Sequence, residues 1–440
     1  MGDSELSQMA RLAAPIVLAE LGWMAMGVVD TMVVGRVDAD AIAAMGLGAI
    51  AYNAAGMCAA GALLGMDTLV AHSFGAGDRE EGRRTLINGL WIALLLMPVV
   101  MGTVRLFDPL LAMFGINAGV LRFTRPYLHA LNWSTLALLV YFALRRYLQA
   151  VHAVRPVMWT LLTANVVNLA GNWVLVFGRL GAPRMGAEGS GWATCISRGY
   201  MALALAVVVW RREPGIVRSR WSADCKRMLA LLRLGVPAAG QILVEVAVFA
   251  VVTFLIGRLD ALALAANQIA LTTVSTTFMM PLGISSAAAV RVGHGLGRGD
   301  ASAAARSGWT ALALGAGVMS ASAVMLMTAP QWIARLFTAE ADVIGASVVL
   351  LRVAALFQLF DGLQVVATGA LRGAGDTRTP MLWHFAGYWL VGLPLGALLC
   401  FGRGMGAAGL WTGLSAGLIM IGSVLALMWR RTARGWAMLE

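Results

Sequence analysis

Charge is what this chain is short of. Asp, Glu, Lys and Arg make up 12% of its 440 residues, against about 25% in an average soluble domain. So few charges cannot cover the surface of a soluble chain of this length. Cysteine is scarce too. Cys58, Cys195, Cys225 and Cys400 form no CxxC pair, which excludes a disulfide scaffold, and they read as small buried apolar residues. The five histidines (His72, His129, His152, His294, His384) lack metal-ligand spacing. No nucleophile elbow, P-loop or HExxH motif occurs, so enzymatic chemistry and direct ATP coupling have no foothold. Composition also excludes disorder and collagen.

What is present is apolar sequence: 60% of residues, with a mean hydropathy of +0.78. It falls into twelve runs long enough to cross a bilayer as helices, at about 12–34, 41–71, 85–107, 126–148, 157–178, 190–210, 235–257, 261–290, 307–329, 346–371, 380–401 and 405–429. The runs are continuous, unlike the alternating segments of a β-barrel. The reading is an all-α integral membrane protein. The first run is too long for a signal peptide, and the MGDSELSQ that precedes it is acidic.

The net charge of +11 is a matter of topology. With the N-terminus inside, the inner segments carry more than twice as many Lys and Arg as the outer loops, as the positive-inside rule requires. That places both termini in the cytoplasm and removes the case for nucleic acid. Trp159, Trp173, Trp192, Trp210, Trp221, Trp332, Trp383 and Trp429 stand near span ends, as interfacial anchors do. Pro15, Pro98, Pro281 and Pro394 mark expected kinks.

The chain repeats itself at an offset of 222. RLAAP (11–15) matches RLGVP (233–237), VVGRVDADAIAA (33–44) matches LIGRLDALALAA (255–266), and VAHSFGAGD (70–78) matches VGHGLGRGD (292–300). MGAEG (185–189) answers MGAAG (405–409) with the offset slipped to 220. Each repeat holds six spans, an even number, so both enter the membrane in the same orientation. The expected architecture is two six-helix lobes, 1–215 and 235–440, joined by a cytoplasmic linker at 216–234 and related by an axis along the membrane normal. Transporters built this way hold substrate between the halves.

Ionisable residues inside spans are costly and are read as functional by default. Asp30, Glu245 and Asp361 stand out; Glu20 and Asp67 lie nearer the interface, and Arg198 and Arg352 read as snorkelling or internal counter-charges. Polar residues recur at helical spacing beside them: Gln358, Asp361, Gln364 and Thr368; Gln241 and Glu245; Asn165, Asn168 and Asn172; Gln268, Thr272 and Ser275. Each set shares a face that must turn towards protein or water. Hydrogen bonding between helices is the bland alternative for the Asn, Ser and Thr sets. His72 and His294 are repeat equivalents with an expected structural role.

The segments GVVDTMVVGR (27–36), DTLVAHSFGAGD (67–78), LGVPAAGQILVEVAVFA (234–250), PLGISSAAAVRVGHGLGRGD (281–300) and FDGLQVVATGALRGAGDTRTP (360–380) resemble, in order along the chain, the multidrug and toxic compound extrusion (MATE) family, nearest its bacterial NorM-type branch. The resemblance implies a V-shaped pair of six-helix lobes in the inner membrane. It implies export of amphipathic, mostly cationic small molecules in exchange for Na⁺ or H⁺, with no cofactor beyond that ion and no partner beyond substrate and lipid; a monomer is expected. Asp30 matches the family's first-span carboxylate, with Asn168, Asn172 and Thr194 around it. Glu245 and Asp361 match the second-lobe carboxylates, and Gln268 joins the candidate set. A Na⁺ would sit at Glu245 and Asp361, or at Asp30, Asn168 and Asn172. Phe357 stands where some relatives carry a Tyr. The rival reading is a lipid or polysaccharide-precursor flippase of the same superfamily, which should line its cavity with more basic residues.

Overall fold

The computed structural model describes residues 4–36, 39–113 and 118–438, so that Val37 and Asp38 of the first repeat block lie outside it. Every element among the described residues is helical. The chain divides into two compact units, Leu18–Ala239 and Met1–Val17 with Gly240–Glu440. The first unit holds α1 (Glu5–Val34) from Leu18 onward, α2 (Ala39–Ala62), α3 (Gly65–Gly75), α4 (Arg79–Met113), α5 (Ala118–Trp133), α6 (Thr135–Ala150), α7 (Val154–Phe177), α8 (Ala187–Arg212) and α9 (Cys225–Gly257) as far as Ala239. The second holds the start of α1, the rest of α9, α10 (Ala261–Gly297), α11 (Ala301–Thr328), α12 (Pro330–Arg335), α13 (Ala341–Gly373), α14 (Arg378–Phe385), α15 (Leu393–Ala397) and α16 (Gly406–Ala437). The division falls after Val17 and after Ala239, positions separated by the repeat offset. The chain thus passes between units inside two continuous helices.

Among the described residues eleven stretches are long and apolar enough to span a bilayer, and the bent pair α5–α6, counted as one broken span, brings the number to twelve. The protein is a multi-pass membrane protein. The 46° bend falls at Ser134, without help from proline. Ser134 Oγ donates to the Leu131 carbonyl and Thr135 Oγ1 to that of Asn132. Such hydroxyls compete with the helix ladder for its carbonyls. The second span also breaks, between α2 and α3, where Leu63, Leu64, Met66 and Asp67 donate three residues back. Gly61, Gly65 and Gly235 explain the site. A Cβ at Gly61 would press on the Ala239 backbone, and one at Gly65 or Gly235 would run into the carbonyl of Leu231 or Ala62. The first half of α9 can therefore pass α2 and α3 at backbone distance.

Helices α1, α4 and α10 run on through Pro15, Pro98 and Pro281. Around Pro394 the helix instead widens to π turns, Ala386–Gly392 and Leu398–Gly402. Five-residue spacing keeps Gly387 and Gly392 on one side of that wider coil. With Gly396 they face Gly409, Gly413 and Gly417 of α16, where added Cβ atoms would strike backbone. Small residues on both sides are how helices close up in a membrane.

One turn recurs at the ends of four helices. The amide of Asp78 donates to Ser73 O and that of Gly77 to Phe74 O; Asp300 and Gly299 repeat this with Gly295 and Leu296, and Asp376 and Gly375 with Leu371 and Arg372. This is a Schellman closure, and the left-handed glycines Gly77, Gly299 and Gly375 supply the positive φ it needs. The Asp that follows caps the next helix, accepting from the amide of Glu81, Ala303 or Thr379. The fourth copy, Ala153 to Leu148 and His152 to Gln149, has neither residue: His152 itself takes φ +62°.

Several sequence expectations are corrected here. Trp429 is wholly buried, with its ring against Trp436, and is no interfacial anchor, whereas Trp159, Trp173, Trp210, Trp221 and Trp332 are exposed. Of the four free cysteines only Cys400 is buried.

Candidate functional site

Each unit gathers polar groups in its interior. In the first unit Asp30 sits on α1, facing α7 and α8. Its Oδ1 accepts from Asn172 Nδ2 at 2.7 Å and its Oδ2 from Thr194 Oγ1 at 3.0 Å. Asn172 Nδ2 also reaches the side-chain and main-chain oxygens of Asn168 at 3.1 and 3.0 Å. Asp30, Asn168, Asn172 and Thr194 are all buried, and the structure brings these four expected residues together. Asn168 Nδ2 and Asn172 Oδ1 have no protein partner. A buried polar atom left so costs about 1–3 kcal/mol, which a bound ion or water would relieve. Asn165, on the same stripe, instead ties α7 to α1 through the Gly22 carbonyl.

Three arginines share this unit's interior. Arg145 pairs with Glu20, both buried. Arg146 pairs with the buried Asp67 at 3.3 Å. Arg198 donates to Ser134 Oγ at 2.7 Å and lies over the rings of Tyr52 and Trp23. By its place in the sequence, at the inner end of the run 126–148, Arg145 counts among the basic residues of the inner segments. It is buried against Glu20 and does not face the loops, and Glu20 and Asp67 are compensated rather than free.

In the second unit Asp361 and Gln364 sit one turn apart on α13, and Gln364 Nε2 donates to Asp361 Oδ1 at 2.9 Å. The same nitrogen lies 3.3 Å from Tyr388 Oη, which in turn donates to Glu245 Oε1 at 3.4 Å. Glu245 and Asp361 are therefore joined through two neutral side chains. One turn away Gln241 Nε2 meets His384 Nε2 at 3.2 Å, while His384 Nδ1 donates to the Pro380 carbonyl at 2.7 Å. That bond leaves Nε2 as the acceptor of the neutral ring. Gln241 with Glu245 on α9, and His384 with Tyr388 where α14 runs into the π turn, form two rungs of one ladder. Among the described residues no arginine or lysine lies within ion-pair distance of Glu245 or Asp361.

The α13 stripe is buried throughout, and Gln358 Oε1, Gln364 Oε1 and Thr368 Oγ1 have no partner. Gln358 Nε2 binds Thr277 Oγ1 at 2.9 Å. Phe357 packs against Trp411. Gln268 is exposed, and its carbonyl accepts from Thr272 Oγ1; no hydrogen bond joins it to either carboxylate among the described residues. The sequence reading missed His384 and Tyr388. Their four-residue spacing was the available signal, hidden because neither is a carboxylate like its neighbours. No group of three or more His, Cys, Asp or Glu fit to hold a metal occurs among the described residues. An ion here would draw on mixed carboxylate, amide and hydroxyl oxygens.

Comparison with known proteins bears on the family and the fold. The family model described as MatE matches residues 15–174 and 237–398. The chain is 36% identical over 438 residues to the probable multidrug resistance protein NorM of Bradyrhizobium diazoefficiens, covering 98% of this chain and 94% of that protein. It is 38% identical over 432 residues to the multidrug resistance protein NorM of Burkholderia vietnamiensis, covering 96% and 92%. Among solved structures, a eukaryotic MATE transporter superposes with a TM-score of 0.88 at 21% identity, covering 98% of each chain. An outward-facing multidrug resistance MATE family transporter superposes with 0.86 at 15% identity, covering 99% of this chain and 97% of that one.

Proposed function

The chain belongs to the MatE family, and from that premise we propose that it is a secondary multidrug efflux transporter: it exports amphipathic, mostly cationic small molecules across the bacterial inner membrane in exchange for Na⁺ or H⁺. It carries no catalytic machinery in this reading and needs no cofactor beyond the coupling ion. Its termini are cytoplasmic and it works as a monomer.

The observation that carries the reading is the uncompensated pair Glu245–Asp361. A buried charge is tolerated only when it is paired, neutralised or bound to a cation. Here the near neighbours are Gln364 and Tyr388, which hydrogen-bond the carboxylates without cancelling their charge. Such a pair accepts a proton, a Na⁺ or the positive group of a drug. Exchange follows when one occupant displaces another: the ion entering from outside discharges the drug, and loss of the ion inside readies the site for the next. Asp30, with Asn168, Asn172 and Thr194, is a second cation site. Its oxygens are already engaged by amide and hydroxyl donors, which favours a small ion over a bulky organic one.

Ethidium efflux from proteoliposomes, with Na⁺ and pH gradients imposed separately, tests the proposal. Wild type moves ethidium under at least one gradient, and Asp361→Asn under neither. Equal efflux by the two proteins refutes it.

A further inference from the structure

Arg198 is a buried guanidinium, 6% exposed, without a carboxylate at ion-pair distance. None lies within 4 Å among the described residues; Asp30 is the acidic group whose charge it feels at longer range. The contrast with Arg145, which has Glu20 in direct contact in the same unit, is sharp, because a buried charge without a directly bonded partner is costly in a membrane protein. What surrounds Arg198 is a cage. The face of Tyr52 lies 4.9 Å from its carbon and that of Trp23 6.0 Å, both within cation–π range. Ser134 Oγ takes one N–H at 2.7 Å. Tyr52 Oη is in turn 3.4 Å from Ser134 Oγ and 3.3 Å from Thr135 Oγ1. One of the five guanidinium donors finds a protein acceptor, and Nε is buried without any. Two aromatic faces and a hydroxyl at a helix break recognise a cation by its charge and flat shape rather than by its full set of hydrogen bonds.

The cage lies beside Asp30. Thr194 and Arg198 are one turn apart on α8, and Thr194 holds Asp30 Oδ2. The scaffold does not demand an arginine here. At the offset of 220 that aligns MGAEG with MGAAG, the equivalent residue is Leu418, buried in the second unit.

We propose that Arg198 is a resident cation filling an aromatic–hydroxyl site for guanidinium-class ligands, and that by filling it the arginine reserves Asp30 for a small inorganic ion. The second clause rests on the transport reading above; the first does not. Removing the side chain opens the site to free guanidinium or methylguanidinium, because the rings of Tyr52 and Trp23 and the Ser134 hydroxyl remain.

The test uses the full-length protein in lipid nanodiscs and in proteoliposomes, with methylguanidinium chloride as probe and NaCl at equal ionic strength as control. Methylguanidinium raises the unfolding temperature of R198A but not of wild type, and the added Y52L substitution abolishes the rise. R198L, which copies the second unit, folds and shows no rise, since its side chain fills the space. In proteoliposomes R198A slows ion-driven ethidium efflux about tenfold, as loss of a desolvated cation–π site allows, and methylguanidinium restores much of it. A cooperatively unfolding R198A that responds to methylguanidinium no more than wild type overturns the site. Should R198A not fold, R198Q replaces it with the same two outcomes. A binding response without any wild-type ethidium transport leaves the cage standing and removes the function proposed above.

Discussion

The two units share a fold and divide their charges differently. In the first, Glu20 and Asp67 each have an arginine, and Arg198 lies one turn along α8 from the threonine that holds Asp30. In the second, Glu245 and Asp361 have amide and phenol neighbours and, among the described residues, no Arg or Lys at ion-pair distance. The repeat explains the scaffold but not the charges: at the offset of 222, Asp30 corresponds to Val252 and Glu245 to Trp23. Duplication supplied two similar bundles that now differ in charge: Glu20 and Asp67 of the first have arginines at ion-pair distance, and Glu245 and Asp361 of the second have none among the described residues. Under the exchange proposed above, the second unit is the place where a positive charge is missing.

The contrast breaks most visibly through Asp361→Asn and Glu245→Gln. Each should reduce ethidium efflux to the level of empty vesicles. Asp30→Asn should instead weaken the dependence on the coupling ion while leaving some transport. If Asp361→Asn and Glu245→Gln both leave efflux unchanged, the assignment of the open site is wrong.

Stability should respond in the opposite sense. Arg145→Met strands Glu20 in the interior and should cost about 3–5 kcal/mol, whereas the double change Arg145→Met with Glu20→Leu should recover most of it. Asp361→Asn removes an uncompensated charge and should leave the melting temperature level or raised. Thermal unfolding in detergent reads all three variants.

Smaller effects compare the four Schellman turns. His152→Gly relieves left-handed strain of about 1–2 kcal/mol and loosens the unfolded chain by about 0.5–1 kcal/mol, so it should stabilise slightly; Gly375→Ala, in the equivalent turn, should destabilise by about 1 kcal/mol. The slightest effect concerns pH. The Asp300 carboxyl lies outside the spans and is held below its ordinary range by the Ala303 amide and the Ser302 hydroxyl. A lowered folded value means the cap helps fully above the unfolded carboxylate range and is lost as acid protonates it. Asp300→Asn should therefore flatten the acid limb of the stability curve slightly.

Sequence reading found the spans because hydropathy registers burial in lipid regardless of local geometry. It missed the breaks at Ser134 and at 63–64 for the same reason: both stay apolar, and their causes are a Ser–Thr pair and the glycines that admit α9. The carboxylates were legible because charge inside a span is conspicuous. Tyr388 and His384 were not, since a phenol and an imidazole in a span look like packing until their partners are placed. The pairing of Arg145 with Glu20 was not legible either, because position along the chain does not tell which way a side chain turns. The repeat was legible as letters. That its offset also separates the two crossing points of the chain needed coordinates.

Those crossings lie just beyond Pro15 and Pro237, repeat equivalents inside α1 and α9. A proline has no amide hydrogen to give, so the carbonyl four residues earlier, of Arg11 and of Arg233, loses its usual rung. Each strut that carries the chain from one bundle to the other is thus softened near where it leaves. Flexure of either helix concentrates at these two matched weak points. The cost of bending there is borne by a few backbone torsions instead of by packed side chains.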